Sequence, residues 1–255
     1  MSESMPARGA STLNLRGTST PATRIIGVLA LAVMTWVVVS AFFFTAPDVV
    51  QGDSVRIMYA HVPAAWVAYL AFVTTAIASG FSLVRRHRTL GFDRVAGASA
   101  EVGVLFMAIS LITGSLWGRI TWGTYWTWDA RLTTTAFLFV TYVGYLAVRG
   151  LGGSHHQRAK RSAVLALLAV LEIPLVHFSV ELWNTLHQEA SVAGRGTDVT
   201  MDGLMLFCLF LGVIVFTLMY VWLVLHRQRA LHLQDMLDDT GLDAALAARR
   251  AEANA

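Results

Sequence analysis

Six stretches of this chain are apolar for long enough to cross the hydrocarbon core of a bilayer as helices, which takes about 17 to 25 residues each. They lie near Ile25 to Phe44, Val62 to Leu83, Ala98 to Trp117, Thr133 to Val148, Ala163 to Val180 and Leu204 to Leu225. A sequence written this way leaves few architectures open. With 56% hydrophobic and 14% charged residues, it reads as an all-α polytopic membrane protein with six transmembrane helices. The fourth run is the shortest, and its helix has room to begin in the aromatic stretch before it. Residues 1–23, rich in Ser, Thr and Arg without periodicity, read as a poorly ordered tail. Residues 24–226 read as the membrane domain. In 227–255 short apolar groups alternate with charges, as in an amphipathic cytoplasmic helix broken near Gly241. The first run is too long for a signal peptide and lacks a small-residue cleavage site, so it reads as a span.

Orientation follows from Lys and Arg, which are retained on the cytoplasmic side of short loops. Fifteen of the 19 flank the termini, the second loop and the fourth loop, and only Arg56, Arg119, Arg131 and Arg195 lie on the other side. Both termini are therefore expected in the cytoplasm, and the segment between helices 3 and 4 on the outward face. The net charge of +3 comes from residues flanking apolar runs, which suits membrane lipid and no nucleic acid. Cys208 is the sole cysteine. It excludes an internal disulfide, a Cys-x-x-Cys pair and covalent c-type haem attachment. Without a Gly-x-x-x-x-Gly-Lys-Ser/Thr stretch there is no P-loop for ATP.

Between the third and fourth runs stands Trp122-Gly-Thr-Tyr-Trp-Thr-Trp-Asp-Ala-Arg-Leu-Thr133. From Trp117 to Trp128 there are four Trp in twelve positions, where the chain's own Trp content predicts about 0.4. Amphipathic rings at headgroup depth account for one or two of these. They account for neither Asp129 nor Arg131, and such a surface suits a flat aromatic ligand. If the motif is helical, Trp122, Trp126 and Asp129 share one face.

Topology sorts the eight histidines. His87, His155, His156, His226 and His232 fall among cytoplasmic Arg and Lys and read as solvated. His61, in Tyr59-Ala-His-Val-Pro63, lies where the second span begins, with Pro63 suited to the first helical turn. His187, in Leu182-Trp-Asn-Thr-Leu-His187, lies at the outward end of the fifth span. Both arrive at one membrane face, whereas His177 sits roughly 15 Å deeper if its helix continues. Two imidazoles from different helices can supply both axial positions of a haem iron. Propionates would need cations, and Arg56, Arg119 and Arg131 are on the right side for bidentate pairing. Lipid headgroups or protein carboxylates are the alternative partners for these three.

Together these residues resemble a known pattern. Trp122-Gly-x-x-Trp-x-Trp-Asp-x-Arg-Leu-Thr133 resembles the tryptophan-rich signature of haem-handling proteins of cytochrome c biogenesis. Met58-Tyr-x-His-Val-Pro63, Trp117-Gly-Arg119 and Ser179-Val-Glu-x-Trp-Asn-Thr-Leu-His-Gln188 are similar to the CcmC family, haem exporter protein C, over roughly Ile25 to Leu225. The resemblance implies a subunit that is not an enzyme. It implies that haem b is held non-covalently at the periplasmic face of the bacterial inner membrane and passed to the haem chaperone CcmE. It also implies an ABC transporter complex with CcmA, CcmB and CcmD. Carried over, the axial iron ligands are His61 and His187, and the platform is Trp117, Trp122, Trp126, Trp128 and Asp129.

Two positions depart from the pattern: Leu182 stands where a second Trp is familiar, and Glu172 where an uncharged amide is expected. Glu172 falls near the membrane centre, where an ionised carboxylate costs a few kcal/mol. It is expected to be protonated or hydrogen-bonded to a neighbouring helix, with a relay of protons or haem as the other reading. Glu101 is nearer the cytoplasmic end of its span. A haem lyase subunit of the CcsA or CcmF type shares the Trp signature but generally has more spans. An intramembrane quinone reductase using Glu172, or a scaffold with anchoring aromatics, are readings of different classes.

Overall fold

In lipid a backbone can satisfy its hydrogen bonds only within a helix or a closed barrel, and the computed structural model, which describes residues 17–84, 90–187 and 201–253, is a helical bundle. The helices are α1 (Pro21–Phe43), α2 (Met58–Leu83), α3 (Leu90–Trp122), α4 (Ala130–Gly150), α5 (His155–Ala169), α6 (Glu172–Leu182) and α7 (Gly203–Ala253). A short 3-10 helix, Asp53–Ile57, runs directly into α2. With α5 and α6 taken as one crossing, six segments among the described residues are long and apolar enough to span a membrane.

The ends of these helices follow local chemistry. Thr20 caps α1 in a reciprocal box with Thr23, with Pro21 in the first turn, where its missing N–H is not needed. Ser154 and Gln157 form the same box on α5. Gly123, at φ 76°, ends α3 in the left-handed conformation that glycine adopts without penalty.

As its short apolar run allowed, the fourth helix starts at Ala130, inside the aromatic motif, with Asp129 as its cap. Other expectations need correction. The motif itself is not helical from Gly123 to Asp129, so Trp122, Trp126 and Asp129 do not share a helical face. Pro63 is not in the first turn, because α2 begins at Met58 and Pro63 lies inside it. Proline there frees the carbonyl of Tyr59. Gly212 brings α7 close to both, since a side chain built on it would stand 3.4 Å from the Pro63 ring.

The fifth span is broken. Pro174 cannot donate to Val170, and its ring crowds that carbonyl. The chain turns at Val170 and Leu171, with Ile173 N–H donating to the Val170 carbonyl at 3.1 Å. The C-terminal helix, by contrast, is unbroken through Gly241. One helical glycine costs only about 1 kcal/mol, which the Leu and Ala around Gly241 outweigh. The first 16 residues of the expected tail lie outside the described residues, and residues 21–23 belong to α1.

α2 and α3 form the centre, and α7 and α5 pack on them. Small residues allow close approach, as is usual between membrane helices. Ala64, Ala68, Ala71, Ala98 and Ala100 are all fully buried. Gly103 leaves the space that the Phe72 ring fills, and Phe72 stacks on Tyr142 of α4 with centroids 3.6 Å apart. Ser99 links α3 to both neighbours, through the Ala71 carbonyl (2.7 Å) and the Tyr220 hydroxyl (2.8 Å).

Charge is buried at the end of the bundle where α3 and α5 begin and α4 finishes. Arg149 donates bidentately to Asp93, at 2.6 and 2.8 Å. Arg158 joins Asp93 to Asp235 of α7, and Asp235 also meets Arg94. His155, expected to be solvated, instead lies 3.4 Å from Asp235 and 3.3 Å from Asp239. His226 likewise has a partner, the Thr18 hydroxyl at 2.8 Å. His156 and His232 are exposed, and His87 is outside the described residues. Glu101 pairs with Arg227. These contacts hold the non-spanning part of α7 against the bundle.

Because Asp93 is only 3% exposed, Arg149→Ala should cost about 3–5 kcal/mol by leaving a buried carboxylate short of its main partner. The paired change Asp93→Leu with Arg149→Met should recover most of that loss. Thermal unfolding in detergent of the two variants against the parent checks both expectations.

Candidate functional site: a two-histidine, tryptophan-walled cavity

At the opposite end, where α2 begins and α3 finishes, the bundle opens into a cavity enclosing about 950 Å³ of space, part of it open to solvent. Its walls come from α2, α3, the start of α4 and the segment after α6. His61 and His187, 126 positions apart in sequence, both line it, together with Trp117, Trp122, Trp126 and Arg131.

His61 is held from α3. Its Nδ1 lies 3.0 Å from the Ser110 carbonyl oxygen and 3.2 Å from the Thr113 hydroxyl. A carbonyl only accepts, so Nδ1 carries the proton and donates to it. Nε2 is then left unprotonated, with its lone pair available to a metal or a donor. The Trp117 ring meets His61 edge-on at 5.9 Å, while the Trp117 indole N–H donates to the Gln51 side chain at 2.7 Å. Gly114 lies beneath the imidazole. A Cβ there would stand 2.8 Å from His61 Cε1, closer than real Cβ contacts allow.

His187 follows the end of α6 at Leu182 and lies in a non-helical stretch. Trp122 is its ring neighbour, with centroids 6.3 Å apart. The residue before His187 is tied to the aromatic motif: Leu186 N–H donates to Asp129 Oδ2 at 2.9 Å, while Asp129 Oδ1 accepts from Leu132 N–H at 2.8 Å. Arg131 also reaches α6, donating to the Val176 and His177 carbonyls at 2.7 and 2.9 Å. His177 itself is exposed and outside the cavity walls.

The residues singled out in the sequence thus separate into two groups. His61, His187, Trp117, Trp122, Trp126 and Arg131 face one space. Trp128, Asp129, Arg56 and Arg119 do not line it. Trp128 is 80% exposed and stands edge-on to Trp126 at 5.6 Å, on the rim. Arg56 pairs with Asp53 at 2.7 Å and donates to the Thr45 carbonyl. Arg119 donates to the Gly123 carbonyl and lies over the Tyr125 ring. Each of these two arginines reinforces a loop at the mouth.

Among the wall residues that sequence reasoning missed are Ala65, Tyr69, Ser110, Gly114, Thr121 and Thr135. Helical spacing carried the signal for some of them: Ala65 and Tyr69 repeat at intervals of four from His61 on α2, and Ser110, Gly114, Trp117 and Thr121 follow at intervals of four, three and four on α3. Glu172 lies outside the wall and accepts from the Thr141 hydroxyl of α4 at 2.9 Å.

Fold and site together define a class: a polytopic helical membrane protein with an aromatic cavity, entered by two imidazoles, at one end of the bundle. The family described as Heme exporter protein C, CcmC, matches residues 7–240. A protein named Heme exporter protein C from Bradyrhizobium diazoefficiens is 43% identical over 182 residues, 71% of this chain and 68% of that protein. One from Haemophilus influenzae is 37% identical over 205 residues, 80% and 82% of the two chains. One from Escherichia coli is 34% identical over 206 residues, 81% and 82%. The chain belongs to the CcmC family.

Gly114→Ala should lower stability by about 1–3 kcal/mol, the usual cost of overpacking. In a His61→Ala background that cost should fall close to zero, because the atom it collides with is gone. Unfolding midpoints of the four proteins of this cycle, measured in one detergent, test the contact.

Proposed function

We propose that this chain is a haem-handling membrane subunit of cytochrome c maturation. In this reading haem b is cargo, held without a covalent bond in the cavity and passed to the chaperone CcmE. CcmA, CcmB and CcmD are the partners of the surrounding complex. The protein sits in the bacterial inner membrane with its cavity toward the periplasm. One observation carries this reading: two histidines distant in sequence enter a single tryptophan-walled cavity in a member of the CcmC family.

The roles follow from what each side chain has to offer. His61 is committed through Nδ1, so it offers Nε2 to an iron, the arrangement that second-shell hydrogen bonds impose on metal-binding histidines. His187 is the second axial ligand. Trp117, Trp122 and Trp126 supply flat apolar walls for a porphyrin. Arg131 spends one nitrogen on carbonyls and keeps others for a propionate. Arg56 and Arg119, already committed at the mouth, would have to give up these partners to serve the same purpose. Trp128, exposed on the rim, is suited to contact the cargo's open edge or the incoming carrier. The family and the two-imidazole donor set favour transport over catalysis, with covalent chemistry left to the carrier.

The periplasmic orientation rests on charge. The two termini with the second and fourth loops hold fifteen of the 19 Lys and Arg, the mark of the side retained in the cytoplasm.

Purified after coexpression with CcmE, the wild-type protein should carry a low-spin haem spectrum. His61→Ala and His187→Ala should each lose that six-coordinate signature. A Soret band unaffected by either substitution would remove the ligand assignment. Reporter fusions after Arg131 should register as periplasmic and those after Arg161 as cytoplasmic, and the inverse pattern would overturn the orientation.

A further inference from the structure

The carboxylate of Asp129 serves two parts of the chain at once. Through Oδ1 it caps α4, and through Oδ2 it accepts the backbone N–H of Leu186, a residue 57 positions later and next to His187. The stretch from Trp183 to His187 belongs to no helix, so no helical register sets the place of His187. The helix before it, α6, is separated from α5 by the turn at Val170 and Leu171 and packs against α4. Arg131 and the Thr141–Glu172 hydrogen bond hold α6 there. The chain from the break to His187 is therefore tied to α4 at several points, and the Asp129–Leu186 hydrogen bond lies one residue from His187.

We propose that Asp129 is a positioning residue that sets His187 over the cavity, acting through the Leu186 N–H rather than by touching haem. This rests on the reading of His187 as an iron ligand. It also separates the two imidazoles mechanically. His61 is seated by Ser110, Thr113 and Gly114 of α3, so a change at Asp129 moves one ligand and spares the other. The aromatic motif then does two jobs: its indoles wall the cavity, and its carboxylate carries the second ligand.

Asparagine and serine cap helices about as well as aspartate, so both substitutions preserve the start of α4. An amide has one acceptor oxygen and an NH2 that only donates, so Asp129→Asn can serve Leu132 or Leu186 but not both. Asp129→Ser has a single hydroxyl on a shorter side chain. The full-length protein, purified with haem after coexpression with CcmE, should show partial conversion to the His187→Ala spectrum in both variants. Haem retention should fall by about 10- to 100-fold, the usual effect of losing an outer-shell partner. Asp129→Asn added to His187→Ala should cause no further loss, whereas added to His61→Ala it should.

If Asp129→Asn and Asp129→Ser both keep the parent spectrum and retention while His187→Ala loses them, Asp129 only caps α4 and the proposal fails. The same holds if the Asp129 and His187 effects are additive. If His187→Ala itself keeps the parent spectrum, the ligand reading fails first, and the role of Asp129 fails with it.

Discussion

Hydrocarbon supplies no hydrogen bonds to a backbone, so irregular chain is tolerated only at the ends of the crossings or where protein shields it. That constraint decides where a binding site can be built in this protein. Three irregular segments, from Phe44 to Gly52, from Gly123 to Asp129 and from Trp183 to His187, gather at one end of the bundle. They bring Gln51, Trp126 and His187 to the cavity, whose deeper walls are helix. A rigid floor thus carries His61, and a loop-built rim carries most of the aromatic motif.

The two ends of the bundle solve opposite electrostatic problems. At the far end, carboxylates and guanidinium groups are drawn out of water in a set that includes Asp93, Arg149, Arg158 and Asp235. Such a set is tolerable because the charges meet one another at close range, and it is costly to break because removing one strands its partner. It joins α3, α4, α5 and α7 where short loops alone would leave them loosely held. In the cavity wall charge is sparse, and the guanidinium of Arg131 faces the space beside two imidazoles and three indoles. A planar, largely apolar anion fits that balance.

Glu172 shows how one residue reads differently in one dimension and in three. Its place in the apolar run suggested an acid inside an unbroken span, protonated or hydrogen-bonded to a neighbouring helix. It stands instead in the first turn of α6, just after the break, with the Thr141 hydroxyl as partner. The expectation of an interhelical hydrogen bond agrees with that contact. Pro174, two residues on, explains why the helix restarts there.

The number of crossings, their approximate limits and the concentration of Trp, Asp and Arg between the third and fourth were legible in the residues, because bilayer thickness sets one length and hydropathy reports it directly. Helical spacing also implied that Ala65 and Tyr69 share a face with His61. What no spacing could reveal were contacts between segments far apart in the chain: Nδ1 of His61 on the Ser110 carbonyl, Gly114 beneath its ring, and Leu186 on Asp129. Nor could local pattern separate a proline that starts a helix from one inside it, or a glycine that ends a helix from one it absorbs. Those outcomes depend on which neighbours compensate, and neighbours from other helices exist only once the bundle has packed.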